Sequence, residues 1–338
     1  MSEKILNKDN WSEFVNNLAS SQKVWVMAGE EAVEFAPLKE GVTEAEGVLN
    51  TTVPPKNVVF PQTETLFRFM YGQKEVEELP EEAEEMVVVG IRPCDARAMS
   101  IVDNLFSWDE DDTYYWDKRE KTTLIGLACN EPEINCFCTS LEGSPASTEG
   151  LDVIMADLGD KYYLQGLTDK GKKVLEGVSG QLSDASDADK KAFQENVESA
   201  EKKIKRNIDT TGIPEGLPQL WDHELWQEVS NGCLGCGTCT YLCPTCHCFD
   251  IQDELEGYNG RRCRMWDSCM FSEYTLHASG HNPRPTRRER TRNRINHKYN
   301  YFVEKFDRIA CVGCGRCINQ CPVNIDIINI LSKVKEAL

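Results

Sequence analysis

No stretch of this chain is apolar for long enough to cross a bilayer as a helix. Its longest apolar runs, residues 86–91 and 325–331, fall far short of the roughly 20 residues required, so no direct membrane insertion is expected. The opening MSEKILNKDN has no apolar core of the kind an export signal needs, so a cytoplasmic location is expected. Positive charge is scarce: 37 lysines and arginines stand against 56 aspartates and glutamates, a net charge of −19. A phosphate backbone would repel such a chain, which argues against nucleic acid as the main partner. No glycine-rich GxGxxG loop is present, so hydride chemistry on a dinucleotide is expected to belong to another chain. The length, 338 residues with 40% hydrophobic and 28% charged, suits a soluble protein of two domains.

Cysteine, by contrast, is plentiful: sixteen residues, which without an export signal point to a reducing compartment and to metal. Eight of them form two copies of one run. The first is Cys233-Leu-Gly-Cys236-Gly-Thr-Cys239-Thr-Tyr-Leu-Cys243-Pro244, the second Cys311-Val-Gly-Cys314-Gly-Arg-Cys317-Ile-Asn-Gln-Cys321-Pro322. This is the C-x2-C-x2-C-x3-C-P spacing with which bacterial-type ferredoxins hold 4Fe–4S clusters. Tight spacing lets three sulfurs face one turn, and in two-cluster ferredoxins the fourth cysteine of each run serves the other cluster. The expected ligand sets are therefore Cys233, Cys236, Cys239 and Cys321 for one cluster, and Cys311, Cys314, Cys317 and Cys243 for the other. Zinc sites use separated CxxC pairs or add histidines, and fit these runs poorly.

The other eight cysteines fall into two groups. Cys94, Cys129, Cys136 and Cys138 lie at the ends of apolar runs or in a loop, where core packing explains them badly. A third metal site is expected there, with 4Fe–4S ahead of zinc. Cys246, Cys248, Cys263 and Cys269 also number four and leave open a fourth site, but Cys246 could equally shield the neighbouring cluster.

Along the chain, residues 11–20 have helical apolar spacing, and residues 23–28 and 32–36 read as strands. Thr63 is placed to cap a short helix with Leu66, Phe67 and Met70 inward. Residues 75–85, with seven glutamates, read as solvated surface. Residues 86–91 and 122–128 read as buried strands that deliver Cys94 and Cys129 to one edge of a sheet, with a helix over 96–106 between them. Strands at 152–158 and 162–167 follow, then an exposed helix over 185–208 and a break near residue 210 at Gly212, Pro214, Gly216 and Pro218. Helices are expected over 221–229 and 324–337. The fold class is thus α+β: a mixed α/β domain over residues 1–210 and a helical ferredoxin-like dicluster domain over 211–338. A long insert of sixty-odd residues separates its two runs. The insert carries a basic island, Arg284 to Arg294 with His297 and Lys298, whose expected roles are pairing with internal carboxylates, docking an acidic partner, or offsetting cluster charge. His277, His281 and His297 read as structural.

Taken together these motifs resemble the iron–sulfur electron-transfer subunit of anaerobic sulfite reductases and the β subunit of cytoplasmic NiFe sulfhydrogenases. The resemblance rests on Pro61-Gln-Thr-Glu-Thr-Leu-Phe67, Arg92-Pro-Cys94-Asp95, Cys129 with Asn135-Cys136-Phe-Cys138, Cys243-Pro-Thr-Cys246-His-Cys248, Arg264-Met-Trp266-Asp-Ser-Cys269 and the second cysteine run. Cys263 departs from it, falling where an arginine is expected. The resemblance implies an iron–sulfur electron-transfer subunit of an anaerobic oxidoreductase. It would stand between a flavoprotein partner, linked to NAD(P)H or ferredoxin, and a terminal subunit such as a hydrogenase or sulfite reductase; some such assemblies bifurcate electrons. Two alternatives remain at this point: catalysis by the chain itself at an N-terminal cluster, and a zinc-binding interaction module.

Overall fold

The run Met86–Ile91, MVVVGI, is buried at all six positions, as expected of a strand covered on both faces. It lies within an eight-stranded sheet in the computed structural model, which describes residues 3–39, 45, 47–78 and 83–338. Part of the glutamate-rich run, residues 79–82, lies outside the described residues. In chain order the first elements are β1 (Glu3–Asn7), α1 (Trp11–Ala19), β2 (Lys23–Ala28), β3 (Glu34–Pro37), β4 (Thr63–Met70), β5 (Val76–Glu78), β6 (Met86–Ile91) and α2 (Pro93–Phe106). Next come α3 (Thr113–Glu120), β7 (Thr122–Leu127), β8 (Val153–Asp157), β9 (Lys161–Gly166), α4 (Asp169–Gly177), β10 (Leu182–Asp184) and α5 (Asp187–Lys203).

The large sheet has the order β10-β1-β9-β8-β7-β6-β2-β3. Its middle strands β2, β6, β7 and β8 run parallel, and the flanking pairs are antiparallel. Alternate side chains fill two cores. Val87, Val89, Ile125 and Met155 pack on Phe14, Val15 and Leu18 of α1 and on Val174 and Leu175 of α4. Val88, Leu124 and Ile154 share the other core with Met99, Val102 and Phe106 of α2 and with Tyr115 of α3. Parallel strands finish at a common edge, so β6 and β7 bring Cys94 and Cys129 together. The helix after β6 starts earlier than its apolar spacing suggests: Pro93 takes the first position, where its fixed φ and missing N–H cost nothing. Cys94 therefore sits in the first turn of α2 and not in a loop.

Residues 63–70 correct an expectation. They form strand β4, not a helix capped by Thr63. Leu66 is buried, Phe67 is half-buried and Met70 is 43% exposed, the alternation of a sheet. The strand's ladder comes from a hairpin in the insert, β11 (Phe249–Glu256) and β12 (Asn259–Trp266), and the small sheet is ordered β11-β12-β4-β5. Strands from either side of residue 210 thus share one sheet.

Before that hairpin stand α6 (Ile213–Gly216), α7 (Leu225–Ser230) and α8 (Thr238–Tyr241), and after it α9 (Arg287–Asn296), α10 (Phe302–Phe306), α11 (Arg316–Asn319) and α12 (Ile327–Ala337). A π-helical turn, His297–Tyr301, joins α9 to α10. Ile213, Leu217, Trp226, Ile295, Tyr299 and the inner face of α12 form the core of this half.

Candidate metal centres

The two cysteine runs fold alike. Each carries two glycines in the left-handed region, Gly235 and Gly237 at φ 71° and 77°, and Gly313 and Gly315 at 65° and 77°. A side chain there would be strained, and the turn they permit gathers two thiols before each short helix, α8 or α11, and the third, Cys239 or Cys317, within it. Cys233, Cys236 and Cys239 line one recess together with Cys321 from the second run, beside Leu234, Thr291 and Arg294.

In the second set, Cys317 feels the charges of Cys311 and Cys243, and Cys314 those of Cys243 and Cys317. Burial pushes the Cys317 thiol up to about 12. Lys298 Nζ lies 3.1 Å from Cys243 Sγ, 2.9 Å from Thr245 Oγ1 and 3.0 Å from Ala310 O. Burial alone would lower this ammonium's pKa; the sulfurs of Cys243, Cys246 and Cys311 outweigh it and raise it.

Cys94, Cys129, Cys136 and Cys138 line a third recess, walled by Arg92, Glu133, Gly313 and Cys314. Burial raises all four thiols, Cys136 to about 12 and Cys138 to about 11. Such thiols stay protonated unless a metal displaces the proton. The loop that bears them packs on the second run: Phe137 N donates to Gly313 O at 2.9 Å, and a Cβ on Gly313 would stand 2.6 Å from Cys138 N. A forked ion pair closes the joint. Arg316 Nη1 and Nη2 donate to Asp95 Oδ1 and Oδ2 at 2.5 and 2.7 Å, and both residues are almost fully buried. Nothing in the sequence pairs these two; only their positions, each next to a cysteine of a different set, hinted at a role.

The insert cysteines do not converge as a set of four, which corrects that expectation. Cys246 contacts Cys243, and Cys248 contacts Cys269. Cys263 pairs with Gln252 along β11, four residues or about 13 Å from Cys248 at the usual strand rise. Its thiol faces the Thr65 hydroxyl at 3.9 Å inside the small sheet.

The basic island turns inward. Arg290, Arg292 and Arg294 are buried. Arg292 stacks 3.6 Å over Trp221, Arg290 donates to the carbonyls of Arg284 and Pro285, and Arg294 reaches the first recess. Burial pushes His247 to about 3 and His297 to about 4, and their rings meet edge to face at 5.1 Å. Both are neutral packing residues.

The donor sets fit clusters better than single ions. Each recess offers at least four thiols, and the two runs supply three at tight spacing plus one crossed from the other run, which is cluster chemistry; zinc sites favour separated CxxC pairs or added histidines. Buried donors with no hydrogen-bond partner, Arg294 Nε and Nη2 and the Tyr299 hydroxyl, lie near those sulfurs.

The fold and these centres define an iron–sulfur protein of the dicluster type, and residues 232–325 match the family model of the 4Fe–4S dicluster domain. Over 335 residues, 98% of either chain, the sequence is 32% identical to the sulfhydrogenase 2 subunit beta of Pyrococcus furiosus. The chain belongs to the sulfhydrogenase β-subunit family. No helix among the described residues is long and apolar enough to cross a membrane.

Proposed function

We propose that the chain is the electron-relay subunit of a cytoplasmic hydrogenase-type complex, with three 4Fe–4S clusters. Cys233, Cys236, Cys239 and Cys321 hold the first, Cys243, Cys311, Cys314 and Cys317 the second, and Cys94, Cys129, Cys136 and Cys138 the third. Each cluster, when bound, takes up and gives back one electron without changing ligands.

One observation carries the reading: the three donor sets are contiguous. Cys317 also lines the first recess, and Cys314 walls the third, so the second set touches both neighbours. The two ends open to the surface beside apolar side chains, Leu234 at 57% exposed near the first set, and Leu49 at 42% near the third, whose loop exposes Ile134 at 86%. One end is assigned to a flavoprotein and the other to the terminal catalytic subunit. The relative's name includes a hydrogenase activity, which supports that choice of terminal partner.

Iron and acid-labile sulfide, counted on anaerobically purified chain, test the assignment. About twelve irons are expected, falling by about four in Cys94→Ala. Eight irons in the parent chain would remove the third site, zinc without labile sulfide would remove the relay, and turnover of small substrates by the isolated chain would make it a catalyst in its own right.

A further inference from the structure

The three donor sets differ sharply in the charge around them. At the second set, Cys243 contacts a buried cation and a hydroxyl, and each of the other sulfurs has a buried cation or hydroxyl nearby. Lys298 Nζ and Thr245 Oγ1 stand 3.1 and 3.2 Å from Cys243 Sγ. The Tyr299 hydroxyl is fully buried, has no hydrogen-bond partner, and lies near Cys311. Arg294, 5% exposed and with Nε and Nη2 unpartnered, lies between Cys317 and Cys239. Arg316 faces Cys314, although its charge is matched by Asp95, so it contributes an oriented dipole and not a net charge.

Lys298 and Tyr299 owe their direction to the π-helical turn that carries them. The extra residue in such a turn rotates the side chains that follow it, and π-bulges recur at functional sites for this reason.

The outer sets lack such a cationic shell. The first has the Thr238 hydroxyl 3.3 Å from Cys236 Sγ and the N–H groups of Gly235 and Ile325 donating to Cys233 and Cys321, but the cation that lines its recess, Arg294, is shared with the second set, and it opens to solvent at Cys236. The third has Arg92 facing Cys129 and Arg97 facing Cys138, but Asp95 and Glu133 stand against the same sulfurs. Arg97 is further claimed by Glu149 at 2.9 Å.

A reduced cluster carries one more negative charge than an oxidised one, so buried positive charge and hydrogen bonds to sulfur stabilise reduction. Building on the relay reading above, we propose that Lys298 and Tyr299 are positioning residues that make the second site the highest-potential of the three, with Arg294 raising the first and second sites together. The middle of the relay is then an electron trap: it fills first, and both end sites exchange electrons with a centre that is already reduced.

The test is a redox titration of the anaerobic, iron-loaded full chain followed by electron paramagnetic resonance, with iron counted on every sample. In the parent chain one signal appears well before the others as the potential falls, and Cys94→Ala leaves it in place. In Lys298→Met that first signal alone moves to lower potential, by at least tenfold in its reduction equilibrium, or about 59 mV for a one-electron couple. Arg294→Gln moves it together with one other signal. Tyr299→Phe, which keeps the ring in the core, moves it the same way by about threefold, and serves should Lys298→Met fail to load iron. A first-reduced signal that stays put in Lys298→Met and Tyr299→Phe, or that vanishes in Cys94→Ala, overturns the proposal. An iron count below twelve in the parent chain overturns the three-cluster relay instead, so the two failures are distinct.

Discussion

Removing the Asp95 carboxylate should loosen the joint between the second and third donor sets, and the expected size follows from what remains around Arg316. The guanidinium makes two bonds to Asp95 and keeps three other acceptors: Thr51 O at 2.7 Å, Thr51 Oγ1 at 2.9 Å and Asn50 Oδ1. Both partners are almost fully buried, so water cannot replace the lost carboxylate. Breaking a buried pair by deleting one member costs about 3–5 kcal/mol; with three acceptors left, Asp95→Ala should fall near the lower figure, about 3 kcal/mol. For a chain of this size a urea slope of about 3 kcal/mol per molar or more is usual, so the midpoint should drop by about 1 M. Arg316→Met in the same chain removes the stranded charge, and the double variant should regain much of the loss. The assay is anaerobic urea unfolding followed by far-UV circular dichroism and by cluster absorbance, because loss of the joint should release the third site before the helical half melts. A midpoint within about 0.2 M of the parent, or a double variant whose loss is the plain sum of the singles, would refute the reasoning.

Other expectations are narrower. Cys263→Ser should leave the iron count at about twelve, since its thiol lies in the small sheet; a loss of about four irons would restore a site in the insert. Gly313→Ala should deplete iron from the second and third sites together, because its Cβ must displace the Phe137–Cys138 backbone; normal loading would show that the contact yields easily. Glu149 gives a pH effect of definite sign. Burial would raise its carboxyl, but Arg308, Ser100 and Arg97 outweigh it and hold the pKa below the usual glutamate value. A depressed folded pKa contributes stability that is present above the ordinary value near 4.3 and is lost as pH falls through the folded one. Glu149→Gln should therefore flatten the acid limb of a stability–pH curve; an unchanged limb would dismiss the linkage.

Much of the molecule could be read from local pattern. Met86–Ile91 and the run after Lys121 announce buried strands, and their parallel course is enough to bring Cys94 and Cys129 to one edge. Cys321 lines the recess of the first run, as Cys317 also does. What escaped the sequence is non-local. Leu66, Phe67 and Met70 satisfy a helical period, but the ladder that makes them a strand arrives nearly two hundred residues later, as Cys263 opposite Thr65. Of the roles expected for the arginine-rich stretch, proximity to cysteine sulfurs applies to Arg294 alone. Arg290 and Arg292 are buried on backbone carbonyls and on Trp221, partners that lie at a distance in the chain or in irregular backbone and that no local pattern announces. The count of four insert cysteines left their arrangement open; Cys246 contacts Cys243, Cys248 contacts Cys269, and Cys263 lies apart in the small sheet.

The hairpin β11–β12 has a consequence for anyone who would treat the ferredoxin-like half as a portable cassette. Its second strand lies hydrogen-bonded to β4 from Asn259↔Met70 to Met265↔Thr63, and Trp266 Nε1 donates to Phe60 O at 3.0 Å. Cutting the chain near residue 210 would bare a strand edge on each fragment and invite both to aggregate. A graft onto another oxidoreductase would have to carry at least residues 55–78, and Asp95 and the Phe137 loop besides, along with residues 211–338, so any transplantable part is discontinuous in sequence. Inheritance by simple gene fusion at that point is correspondingly hard, and the two halves are bound to evolve as one piece.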